Sequence, residues 1–173
     1  MIGINPLMNA QTAFNLLTPF SLIFFLLIGV WYVLPRLYKE DIYGAITPLL
    51  LFSTLRYLAL AFIVPGLSNG FEGTVIAHPA AYGDLAVSTI ALVAAVASRW
   101  KLKVGIALAW AYAILGALDF VNAKSLGSES DRMTHIGALW PITLVGGPAF
   151  MVAILLLFIV LIRHQRARRS SLV

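Results

Sequence analysis

Residues 44–65 read GAITPLLLFSTLRYLALAFIVP, an apolar run long enough to cross a hydrocarbon core of about 30 Å, with one arginine, Arg56, near its middle. An arginine at the centre of a spanning helix costs roughly 2.5–3.5 kcal/mol on insertion scales, so it needs a partner facing it inside a bundle. Two carboxylates in other apolar runs can serve, Asp84 and Asp119. This run therefore decides the fold class, a membrane bundle, and also where a site should be sought.

The rest of the chain has the same character. Of its 173 residues 61% are hydrophobic and 11% charged, and the mean hydropathy is +0.93. That is too little polar surface to coat a soluble domain. Five runs reach spanning length, about 12–34, 44–65, 80–98, 104–123 and 138–162, with a basic tail over 163–173. The reading is an all-α integral membrane protein: one membrane domain, a bundle of five transmembrane helices, with no room for a soluble domain. Pro35 is expected to end the first span. Residues 66–79, rich in glycine and polar side chains, read as a loop, as do residues 124–135. The link 99–103 is so short that the third and fourth spans must form an antiparallel hairpin. Residues 1–11 hold no basic residue and no small-residue cleavage pattern follows the first run, so the first span is expected to be retained.

Orientation follows from the lysines and arginines. Arg36, Lys39, Arg99, Lys101, Lys103, Arg163, Arg166, Arg168 and Arg169 fall at one set of span ends, against Lys124 and Arg132 at the other. By the positive-inside rule the first set is cytoplasmic, which puts the N-terminus outside and the C-terminus in the cytoplasm, in a bacterial-type inner (plasma) membrane. The formal charge of +5 is then a topology and headgroup signal, not a nucleic-acid footprint. Membrane lipids are the expected partners, with a second copy or another membrane subunit. The chain has no cysteine, which excludes disulfides, thiolate metal sites and iron–sulfur clusters. No cofactor is expected: no span holds a histidine pair for haem or a lysine for a retinal Schiff base.

Helical rise places the charges. Asp84 lies 14 residues from Ser98, and Asp119 lies 15 from Val104, so both stand roughly 21–22 Å from the hairpin link. Arg56, 12 residues from Gly44, is roughly 18 Å up, and its long stem can close the difference. Facing agrees with depth. Gly105, Ala109, Tyr112, Gly116, Asp119 and Ala123 recur at helical spacing, as do Asp84, Ser88, Ala91, Ala95 and Ser98. Such small-residue stripes let helices approach closely in lipid.

Asn15, Thr18, Ser53, Tyr57, Tyr82, Asn122 and Trp140 fall towards the same end as the charges. The expected ligand set is Arg56, Tyr57, Tyr82, Asp84, Tyr112, Asp119, Asn122 and Trp140, lining a water-accessible cavity bent open by Gly146, Gly147 and Pro148. Two aspartates against one arginine leave a surplus carboxyl, suited to a proton or a cation. No metal site is expected. His78 and His135 are the weak candidates, and histidines beside loops are ordinarily just solvated. Five residues separate His78 from Asp84, one more than acyltransferase His–Asp pairs place. The favoured function is binding, with or without transport, of a small polar or amphipathic ligand, with Arg56 on its anionic part and the aspartates on its cationic part or a proton. The alternatives are an intramembrane enzyme on a lipid or isoprenoid, with an aspartate as acid or base, and a structural subunit of a membrane complex.

Overall fold

The computed structural model describes residues 10–125 and 135–170, which are all-helical with connecting turns. The expected loop 124–135 lies almost wholly outside the described residues, as do most of residues 1–11, the last three residues of the tail and the side chain of Ala123. Five helices are long and apolar enough to cross a membrane. The first runs from Ala10 through Ile28, a π turn over Gly29–Val33 and a final turn over Leu34–Leu37. The second is α-helical over Ile42–Thr54 and then 3₁₀ over Leu55–Ile63. The third is Ala77–Arg99 and the fourth Lys103–Ser125. The fifth enters through a π turn, Ile142–Gly146, and continues over Gly147–Ser170.

The second, third, fourth and fifth helices pack in that order and close on one another as a ring, and the first lies outside it against the fifth. The small-residue stripes carry the closest contact. Ala91, Ala94 and Ala95 of the third helix and Ala109, Tyr112 and Ala113 of the fourth are buried together with Ile46, Leu50 and Leu157. At the hairpin link a β-carbon on Gly105 would stand 2.6 Å from Ser98 Oγ and 2.8 Å from its backbone nitrogen, so only glycine fits. The third helix ends in a Schellman motif: Leu102 N–H donates to Ala97 O and Lys101 N–H to Ser98 O, with Lys101 in the left-handed region at φ 53. Its ammonium reaches Asp41, which also caps the second helix by accepting from Gly44 N–H at 2.7 Å. Two turns at the basic end are thereby tied together.

Two sequence expectations change. Pro35 does not end the first helix. In an α-helix its ring would strike the Trp31 carbonyl, but the π turn before it inserts a residue, and Leu34 N–H donates five residues back to Gly29 O. Gly146 to Pro148 behave likewise: the π turn stops two residues short of Pro148, and Gly147 N–H reaches Ile142 O. The proline is absorbed and lies buried. Residues 66–79 are only partly a loop, because the third helix begins at Ala77 and takes in His78 and Pro79.

That loop also folds inward. Phe71 is buried against Phe62, ring centroids 5.4 Å apart. With Ala59, Ala77, Ile136 and Leu139 they form a second apolar cluster at the loop end of the bundle. Asn69 N–H donates to His135 O at 2.8 Å, and Asn69 O lies 3.0 Å from His135 Nδ1. Ser68 accepts from Phe71 N–H and donates to Glu72, whose carboxyl is held below its ordinary value by that bond.

Candidate functional site

Arg56 lies where the second helix changes from α to 3₁₀ winding. Its buried face over Leu55–Ile63 is Arg56, Ala59 and Phe62, a spacing of three that matches three residues per turn. At 3.6 residues per turn Phe62 would swing about 120° off that face. The 3₁₀ winding thus aligns the arginine beneath the apolar cap, between it and the main core.

There Arg56 is 2% exposed. Its Nε donates to Asp84 Oδ1 at 2.5 Å and its Nη2 to Asp119 Oδ2 at 2.5 Å, while Nη1 lies 3.4 Å from the carbonyl of Gly116. The Phe120 ring lies 4.5 Å from its Cζ, a cation–π contact. Nε and Nη2 form one edge of the guanidinium, which ordinarily grips a single carboxylate with both its oxygens. Here two carboxylates divide that edge and are neighbours of one another. Two carboxylates against one guanidinium leave one carboxyl in surplus.

Two glycines make room. A β-carbon at Gly83 would stand 2.7 Å from Asp119 Oδ1, and one at Gly116 would stand 3.0 Å from Ile154 Cδ1 and 3.2 Å from Arg56 Nη1. Neither glycine needs an unusual backbone; each needs the absent side chain. Gly83, Gly116 in its contact with the guanidinium, and Phe120 were not legible as site residues, although Gly83 and Phe120 sit next to the two aspartates in sequence.

The structure brings together Arg56, Asp84 and Asp119 of the expected set. Tyr112 is adjacent but sealed: fully buried, with Ser53 and Arg56 beside it and, among the described residues, no hydrogen-bond partner for its hydroxyl. Tyr57, Tyr82 and Trp140 are about half exposed, and Asn122 is exposed. Tyr82, two residues before Asp84, is about 200° round the helix from it and stacks on His78. Thr18 bonds within its own helix, which lies outside the ring. Among the described residues no three His, Asp or Glu side chains group as metal ligands would.

The expected water-accessible cavity does not reach Ser53, Ser88 and Gly116. All three are buried, and the two hydroxyls donate to carbonyls of their own helices, Leu49 O and Leu85 O. The cap is the reason: a phenylalanine in a polar loop finds apolar partners and closes that end. Access to the cluster is at the aspartates, whose side chains are 21% and 19% exposed. The Nε–Nη2 edge of Arg56 is held by Asp84 and Asp119, and Nη1 faces the Gly116 carbonyl in a side chain that is itself buried.

The chain belongs to a domain family of unknown function, DUF8737, whose profile matches residues 13–162. No curated protein and no solved structure matches it.

Proposed function

We propose that the protein is an integral membrane protein that binds a small amphipathic cation, or a proton in its place, at the paired carboxylates of Asp84 and Asp119. The division of one guanidinium edge between two partly accessible carboxylates carries this reading. Arg56 supplies one positive charge against two aspartates, so the surplus carboxyl is neutral when protonated and has room for one cationic charge when it is not. Arg56 itself is then a fixed counter-charge that holds the aspartates in register. The distribution of lysine and arginine supports an N-terminus outside and a C-terminus in the cytoplasm, in a bacterial-type plasma membrane.

A structural reading has one observation in its favour, the use of the whole Nε–Nη2 edge within the protein. One assay separates the two. Protonated n-alkylamines and the matching alcohols are compared for their effect on the unfolding temperature of the purified protein in detergent. The amines should stabilise the wild type more than the alcohols do, and Asp84→Asn and Asp119→Asn should abolish the difference. Equal shifts for amine and alcohol in the wild type would leave a structural tie. Orientation is tested in intact cells by labelling single cysteines with an impermeant maleimide: a cysteine at Ser170 that reacts from outside would reverse it.

A further inference from the structure

The first and second helices are consecutive in sequence yet meet mainly through the turn segment Leu34–Leu37; the first helix leans on the fifth instead. Gly29 sets that lean, since a β-carbon there would come within 3.1 Å of Val152 and 3.3 Å of Leu156. On the facing side, Pro48 interrupts the second helix's hydrogen bonding and leaves the Gly44 carbonyl without its amide partner. Between the three helices runs a cleft of about 630 Å³, within the range that holds a small amphipathic molecule. Its walls are apolar, among them Phe25, Ile28, Leu49, Phe52 and Leu156, and Arg36 and Glu40 also line it.

We infer that this cleft binds an anionic phospholipid, one acyl chain lying along the Phe25, Leu49 and Leu156 walls and the phosphate on Arg36. The inference rests on the membrane reading above and not on the Arg56 cluster. Apolar walls make water a poor filler, because a water needs two to four polar partners. A lipid tail supplies the missing dispersion contacts instead. Charge selects the headgroup. The span ends around Arg36 carry Lys39, Arg99, Lys101, Lys103, Arg163, Arg166, Arg168 and Arg169, against Glu40 and Asp41. Asp41 is already paired with Lys101, and Arg163 is held over the Tyr38 ring at 4.0 Å, beside the same turn. Basic pockets between helices on a cytoplasmic face recognise anionic headgroups in this way. Arg36 donates to Tyr32 O at 2.6 Å, which fixes its guanidinium at the cleft and leaves further N–H groups for a phosphate.

The test uses the full chain, purified in detergent, delipidated and titrated with phosphatidylglycerol, phosphatidylethanolamine or phosphatidylcholine, with bound lipid counted by native mass spectrometry. One phosphatidylglycerol should bind in preference to the other two. Arg36→Gln should weaken that binding about fivefold and leave phosphatidylcholine unchanged. Ile28→Trp, which fills the cleft without adding charge, should remove the saturable site, while Asp84→Asn should leave it intact. Equal binding of the three lipids, a preference for phosphatidylethanolamine through Glu40, or an Arg36→Gln variant with unchanged selectivity would overturn the inference. So would a dimer that binds no lipid and that Ile28→Trp converts to monomer, because a second copy would then occupy the cleft.

Discussion

Replacing Gly83 with alanine sets two known effects against each other. In a helix interior alanine is favoured over glycine by about 0.8–1.0 kcal/mol, so the substitution should stabilise any helix that has room for a methyl group. Here the new carbon would stand 2.7 Å from Asp119 Oδ1, where ordinary contact begins at 3.4 Å. The carboxylate must retreat by about 0.7 Å, and its 2.5 Å bond to Arg56 Nη2 lengthens accordingly. A hydrogen bond between charged groups is worth about 1.5–3 kcal/mol, and lengthening to about 3.2 Å, the outer end of the normal range, forfeits about half of it. The two nearly cancel, and the net expectation is a change of less than about 1 kcal/mol. In an Asp119→Ala background nothing opposes the methyl group, and the same substitution should gain about 1 kcal/mol. Unfolding free energies from titration with a denaturing detergent would measure both. The same change in both backgrounds would refute the placement of Asp119 against Gly83.

Three further outcomes are expected. Arg56→Leu should cost about 3–5 kcal/mol by leaving two buried carboxyls without their counter-charge, and the Arg56→Leu/Asp119→Asn double variant should lose less than the sum of the two single losses; strict additivity in the same titration would mean the groups do not touch. Gly105→Ala should cost about 1–3 kcal/mol in that assay despite alanine's better propensity, because the clash is with the backbone of Ser98, which cannot swing away. Asp41 is held below its ordinary 3.8 chiefly by the bond from Lys101, and Lys101 above its ordinary 10.5 by the same bond. The Asp41 contribution is whole above 3.8 and fades as pH falls through the lowered value, and that of Lys101 is whole below 10.5 and fades as pH rises through the raised one. Unfolding temperature followed down to pH 2.5 should therefore fall further for wild type than for Asp41→Asn, and parallel curves would show that the tie contributes nothing.

The charged cluster was legible because helical rise is a strong constraint: Asp84, Asp119 and Arg56 could be set level by counting residues from the span ends. The stripes that bury the third helix against the fourth were legible for a related reason, since small residues stand out among leucines and valines. Local winding was not. Apart from Arg56 and Tyr57, Leu55 to Ile63 is apolar on every side, so Ala59 and Phe62 do not stand out from their neighbours as sharing a face with Arg56. Pro35 reads as a helix end and Pro148 as a bend because a π turn leaves no mark of its own in the sequence. Phe71 read as one apolar residue in a polar loop, and the cap it forms with Ile136 and Leu139 depends on a segment more than sixty residues away.

The 3₁₀ stretch of the second helix also sets a length. Thirteen α-helical and nine 3₁₀ residues rise about 37 Å, where an α-helix throughout would rise about 33 Å. The second helix is thus drawn out by about 4 Å, comparable to the difference in hydrocarbon thickness between thin and thick bilayers. Rewinding it as α to suit a thinner bilayer would turn each residue by 100° instead of 120°. Phe62 would then leave the face it shares with Arg56, and the cap would lose the ring it closes on. On the proposed membrane reading, bilayer thickness and the covering of the charged cluster would be coupled through this one segment.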